Sequence, residues 1–196
     1  MVSVEDRLEL DQDEQYVSRA ALKLAGATEV LALEFKDKLV LDVGSSTGGF
    51  TDFALKRSAR KVIAVDVGTD QLHPSLRDNP RVELHEKTDI RDFVTSEKIN
   101  IVLIDVSFIS LKEILPTVAK LAGRQTDIVA MVKPQFEASA KAVNKGVIKN
   151  DKLRREILKS FETWAREKFI IEAKADSPVA GAKGNLERFY LLRKKA

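Results

Sequence analysis

Short apolar runs alternate with amphipathic stretches along most of the chain. Lys38-Leu-Val-Leu-Asp-Val43 is apolar up to a glycine cluster, which predicts a buried strand. Lys61–Asp66, Arg81–His85, Ile99–Asp105, Asp127–Val132, Phe169–Ala173 and Leu186–Arg193 are further strand candidates. Helical spacing predicts Ser18–Leu33, through Ala21, Leu22, Ala25, Val30 and Leu33, together with Gly49–Lys56, Ser110–Ala122 and Asp151–Lys168. Ser110 followed by Glu113 has the spacing of a capping box. Strands alternating with helices imply an α/β fold, with a mostly parallel sheet and helices on both faces. Residues 1–15 are acidic and polar and read as a linker or lead-in to one domain over 16–196. Pro134 to Asn150 is long and polar, with Lys141, Lys145, Gly146 and Lys149. A loop of that length inside a compact domain is functional or mobile.

Composition narrows the chemistry. The chain has no cysteine, which removes disulfides, thiolate metal sites and any cysteine nucleophile. His73 and His85 are its only imidazoles, so no metal site is expected. No apolar run approaches the roughly 20 residues of a membrane helix, and nothing resembles a signal peptide, so no membrane partner and a cytoplasmic location are expected. Charge is uneven. Residues 1–100 hold 14 Lys+Arg against 19 Asp+Glu, whereas residues 101–196 hold 19 against 11. The basic second half suits a polyanion such as RNA, or is a solvated lysine-rich surface.

Asp42-Val-Gly-Ser-Ser-Thr-Gly-Gly-Phe50 lies between the first strand and a helix. In such sheets ligands bind beyond the carboxyl ends of the strands. The spacing G-x-x-x-G-G differs from the dinucleotide fingerprint, and no lysine follows it as in a phosphate loop. Asp66 ends the second strand, where an acid can hydrogen-bond a ribose diol. Asp89 follows the third strand and can accept from an adenine amine, and Asp105 ends the fourth. Four carboxylates on one rim suit a cofactor with a sulfonium, an ammonium, a ribose and an adenine, namely S-adenosyl-L-methionine. The candidate cofactor-binding set is Asp42, Gly44, Ser45, Ser46, Thr47, Gly48, Gly49, Phe50, Asp66, Val67, Asp89, Ile90 and Asp105.

Tyr16-Val-Ser-Arg-Ala-Ala-Leu-Lys-Leu24, Asp42 to Thr51, Asp105-Val-Ser-Phe-Ile-Ser-Leu111 and Val132-Lys-Pro-Gln-Phe-Glu137 resemble the TlyA family. Its members are named haemolysins and ribosomal RNA ribose 2′-O-methyltransferases with an FtsJ-like catalytic domain. The resemblance implies a Rossmann-like S-adenosylmethionine-dependent methyltransferase fold, ribosomal RNA or a ribosomal subunit as partner, and a catalytic set of Lys23, Asp105, Lys133 and Glu187. Family members usually have Gly-Gly where this chain has Ala20-Ala21, which would crowd the entrance near Lys23. The family also usually begins with a small RNA-binding domain that is missing here, so weak RNA binding by this chain alone is expected.

The tetrad makes chemical sense on its own terms. A ribose hydroxyl is a poor nucleophile and must be aligned with the methyl group it attacks. Lys133, beside Asp105, can orient that hydroxyl and take its proton. For proton transfer the amine must first be neutral, which desolvation or the Lys23 charge favours and Asp105 and Glu187 oppose. Amino methyltransferases of the same fold usually carry Asp/Asn-Pro-Pro-aromatic after the fourth strand. Asp105-Val-Ser-Phe108 keeps the acid and the aromatic but lacks both prolines. Phe108 can stack on a base, though such a residue is more often core. A haemolysin-named protein that binds cofactor without robust activity is the remaining alternative.

Overall fold

All five residues of β1 (Leu39–Val43) are buried, as a strand covered on both faces requires. Such strands read as continuous apolar runs, and β2 (Lys61–Val65), β4 (Ile101–Ile104) and β5 (Asp127–Val132) share the pattern. The computed structural model describes residues 16–138, 146–148 and 150–195. With β3 (Val82–His85), β6 (Phe169–Asp176) and β7 (Arg188–Lys194), the strands form one sheet in the order β3-β2-β1-β4-β5-β7-β6. The first five strands in chain order pair in parallel, and β7 pairs antiparallel with both β5 and β6.

Two cores lie on opposite faces of this sheet. Leu39, Leu41 and Val43 point to one, with α4 (Leu111–Leu121) and α6 (Asp151–Lys168) packed over them through Val118 and Phe161. Val40, Val62 and Leu103 point to the other, under α1 (Ala20–Val30) and α2 (Gly49–Lys56). The side-chain period of two along each strand makes this split. Asp42 therefore faces the α2 layer from inside the sheet.

The expected elements are present, with shifted ends. The first helix is shorter at both ends than Ser18–Leu33, and β6 runs three residues beyond Ala173. Two four-residue helices, α3 (Pro74–Arg77) and α5 (Pro134–Glu137), have no counterpart in the apolar pattern. Each starts with proline, whose fixed φ and missing N–H suit a first helical position. The α5 turn therefore occupies the start of the segment read as a long loop. Lys141, Lys145 and Lys149, and the proposed lead-in over 1–15, lie outside the described residues.

Candidate active site

The turn after β1 brings its backbone against the neighbouring strand end. Gly44 has φ of +80°, and a Cβ there would lie 2.9 Å from the Asp105 carbonyl oxygen. Gly48 caps α2 in the left-handed region at φ +93°, with no room for a side chain between Leu72 and Leu76. Ser46 N–H donates to Asp66 Oδ2 at 2.8 Å, and Gly68 N–H donates to Asp66 Oδ1 at 2.7 Å. Asp66 is thereby oriented, while each oxygen keeps capacity to accept another bond.

Two adjoining cavities open on this rim. The larger, of about 510 Å³, is lined by Gly44, Asp66, Val67, Asp89, Ile90 and Phe108 among others. The smaller, of about 150 Å³, is lined by Ser18, Ala20, Asp42, Ser45, Thr47, Gly49, Phe50 and Lys133. Gly44, Ser46, Asp105 and Ser107 line both. Every residue of the predicted cofactor-binding set except Gly48 lines one cavity or the other. Gly48 instead shapes the turn. Asp89 is less available than the sequence suggested. Its Oδ1 accepts from the Arg91 backbone N–H and Nε, and its Oδ2 from Nη2 at 2.7 Å.

Asp42 is the most perturbed acid on the rim. Its Oδ2 accepts from Thr51 Oγ1 at 2.6 Å, whereas its buried Oδ1 has no hydrogen-bond partner, and the same holds for Ser45 Oγ. Burial pushes its carboxyl up to about 7, with nearby Asp105 and Asp66 adding to the rise against the Thr51 bond. Two buried oxygens without partners beside a small pocket are what a cationic, hydrogen-bonding ligand would satisfy.

The four predicted catalytic residues form two ion pairs. Lys133 Nζ lies 2.6 Å from Asp105 Oδ1, without the alignment of a hydrogen bond, and donates to Ser107 Oγ at 2.9 Å. Lys23 Nζ donates to Glu187 Oε2 at 2.6 Å. Antiparallel pairing sets Val132 opposite Arg188, which brings Glu187 alongside Lys133 at the end of the sheet. Ser107 was missed as an individual residue, although it stands inside the Asp105–Leu111 motif. Thr51 was missed too; its signal is its place at the end of the glycine motif.

One expectation changes. Phe108 is not core: it is 92% exposed at φ +65°, with its ring 5.1 Å from that of Phe136. The Ala20-Ala21 pair packs against the glycine turn. Ala21 is buried, and the Ala20 methyl packs so close to Gly49 that a Cβ there would lie 2.8 Å from it.

The raised Asp42 carboxyl carries a stability consequence. Its folded-state value lies above its ordinary 3.8, so the folded protein binds the proton more tightly and loses stability as pH rises from about 4 to 7. Asp42→Asn keeps the acceptor for Thr51 and removes the charge. It should raise the melting temperature at pH 8 and change it little at pH 4, as calorimetry at both values would show. Equal melting temperatures at pH 8 would contradict this assignment.

Comparison with known proteins places this rim in a family. Residues 16–195 match the FtsJ-like methyltransferase family. The chain is 44% identical over 189 residues to the 23S rRNA (cytidine-2′-O)-methyltransferase TlyA of Campylobacter jejuni, covering 94% of this chain and 74% of that protein. It is 41% identical to the 16S/23S rRNA (cytidine-2′-O)-methyltransferase TlyA of Mycobacterium tuberculosis, covering 93% and 70%. A solved structure of a hemolysin-named protein from Streptococcus thermophilus superposes with a TM-score of 0.89 at 37% identity, covering 94% of this chain and 69% of that one. The chain belongs to the FtsJ-like methyltransferase family, in the branch of the TlyA proteins.

Proposed function

We propose that the chain transfers a methyl group from S-adenosylmethionine to a ribose 2′-hydroxyl of ribosomal RNA. The observation that carries this reading is the position of the Asp105–Lys133 pair. Asp105 lines both cavities and Lys133 the smaller, so the pair stands where the two adjoin. An electrophilic methyl group is what the cofactor supplies when bound.

The residues fit that cofactor. Asp66, with capacity left on both oxygens, suits a ribose diol, and the wall of Asp89 and Ile90 suits an adenine. An adenine amine must compete with Arg91 for Asp89, so the Ile90 segment is the less obstructed contact. At the other end, Asp42 Oδ1 and Ser45 Oγ offer buried acceptors to an ammonium. In this reading Lys133 and Ser107 orient an incoming hydroxyl, and Asp105 fixes the direction of the Lys133 side chain, whose amine must be neutral to take the hydroxyl proton. Lys23 and Glu187 pair with each other and line neither cavity, so in this reading they support the site from behind its wall. Phe108 offers an exposed ring to a nucleobase at the mouth of the larger cavity.

Ribosomal RNA is the substrate named for both TlyA relatives. On α6 the exposed Lys152, Arg155, Lys159, Arg166 and Lys168 outnumber the exposed Asp151, Glu156 and Glu167, a basic excess that suits phosphates. Among the described residues, no helix is long and apolar enough to cross a membrane. No group of three or more His, Asp or Glu side chains able to hold a metal occurs there either.

Two measurements test the reading. Ribosomes lacking the modification, incubated with tritiated S-adenosylmethionine, should be labelled by the parent protein and not by Lys133→Ala, while cofactor affinity stays within about twofold. Lys133→Arg should also fail if the amine accepts the hydroxyl proton, because guanidinium stays protonated. Near-normal turnover by the arginine variant would reduce Lys133 to an electrostatic positioner.

Cofactor binding should also be linked to pH through Asp42. Below about 7 the acid is largely protonated and must lose that proton to face an ammonium. The dissociation constant should therefore weaken towards about tenfold per pH unit below 7 and level off above it. Asp42→Asn should bind more weakly at pH 8 with a flat profile. A flat profile for the parent between pH 5.5 and 8 would remove Asp42 from the binding step.

A further inference from the structure

The segments that follow β4 and β5 run side by side and are joined at successive points. Lys133 meets Asp105 and Ser107, and the Phe136 ring meets that of Phe108. The last joint belongs to a residue with no part in the proposed chemistry. Glu137 Oε2 accepts from Ser110 Oγ at 2.6 Å, and Glu137 Oε1 accepts from the Leu111 backbone N–H at 2.7 Å. Both bonds cross from the end of α5 to the start of α4.

This contact replaces the one expected from sequence. Ser110 does cap α4, accepting from Lys112 N–H at 3.2 Å. Glu113, three residues on, does not complete a capping box; its carboxylate lies 3.8 Å from Arg91 instead. The acid at the helix start comes from the other loop. An anion there is favoured by the unpaired N–H groups and the dipole of an eleven-residue helix.

The segment it holds is strained. Phe108 sits in the left-handed region at φ +65° with its side chain almost fully in solvent. A bulky residue stays in that conformation only where its surroundings over-determine it. Phe136 supports it from one side, and the Glu137 bonds fix the chain two and three residues further on.

We infer that Glu137 is a positioning residue, locking the β4–α4 segment to the β5–α5 segment so that Asp105, Ser107 and Phe108 are held in register with Lys133. Its burial raises the carboxyl above its ordinary value, in keeping with a group committed to protein partners rather than water. The inference rests on the proposed methyl transfer for its kinetic consequence, but not for its structural one.

The test separates locking from simple helix capping. Glu137→Ala should lower kcat on ribosomal substrate at least tenfold and leave S-adenosylmethionine affinity within about twofold. Glu137→Gln should fall between, because its amide oxygen can accept from Leu111 while its nitrogen cannot accept from Ser110. Ser110→Asp in the Glu137→Ala background returns an acid to the helix start. It should recover the melting temperature but not kcat. Amides of residues 106–111 should exchange with solvent at least tenfold faster in Glu137→Ala, with residues 44–48 unchanged. A kcat within twofold of the parent, or full recovery by Ser110→Asp, would overturn the inference. If the parent itself labels no RNA, the proposed function fails, and the exchange measurement alone decides: unchanged exchange over 106–111 overturns the lock, and faster exchange upholds it.

Discussion

Lys133 can touch Asp105 at 2.6 Å because β4 and β5 are neighbouring parallel strands whose carboxyl ends fall close together. That one contact depends on the whole topology. Parallel neighbours need helical crossovers, so α4 has to cover the sheet between them. The antiparallel β7 runs the other way past β5, so Glu187, just before its first residue, comes to the same end of the sheet. Lys23 then reaches Glu187 from α1, which packs over the opposite face from α4 and α6. One ion pair thus joins two strand ends of the sheet, and the other joins the sheet to the α1 layer.

Beside that junction the protein keeps a costly feature. A carboxylate buried without a full set of partners is unfavourable, and Asp42 responds by holding its proton up to about pH 7. A ligand that supplies a cation relieves the penalty, so the strain is stored where binding can release it. The glycine turn serves the same end. Left-handed Gly44 brings backbone, rather than a side chain, to the pocket wall, and left-handed Gly48 shapes the turn behind it. The stability lost at the rim is offset by the two apolar cores, in which Phe53, Phe161 and Tyr190 are fully buried.

Much of this was legible in the sequence. Continuous apolar runs marked the central strands because both of their faces are covered. The Asp42 to Thr51 and Asp105 to Leu111 motifs marked the rim because close backbone approach and strand-end acids leave a residue-level trace. Pairings between distant segments left none. Nothing local ties Glu137 to Ser110, and Glu113 at capping-box spacing pointed to the wrong acid. Phe108 looked like core because periodicity cannot register a single residue turned outward by a positive φ. Asp89 looked free because a bidentate contact from Arg91, two residues on, is one of several rotamers the sequence permits. The two proline-started turns escaped for want of length, since four residues carry no helical period.

If Lys133 serves the proposed reaction, the atom methylated is a ribose oxygen. That is tested most directly with a substrate in which only the acceptor nucleotide is changed to its 2′-deoxy form. Tritiated S-adenosylmethionine should label the ribose-containing substrate and not the deoxy form, since the receiving oxygen is gone. Persistent labelling of the deoxy substrate would contradict it and move the target to a base, with Asp105 and Phe108 as the residues to re-examine.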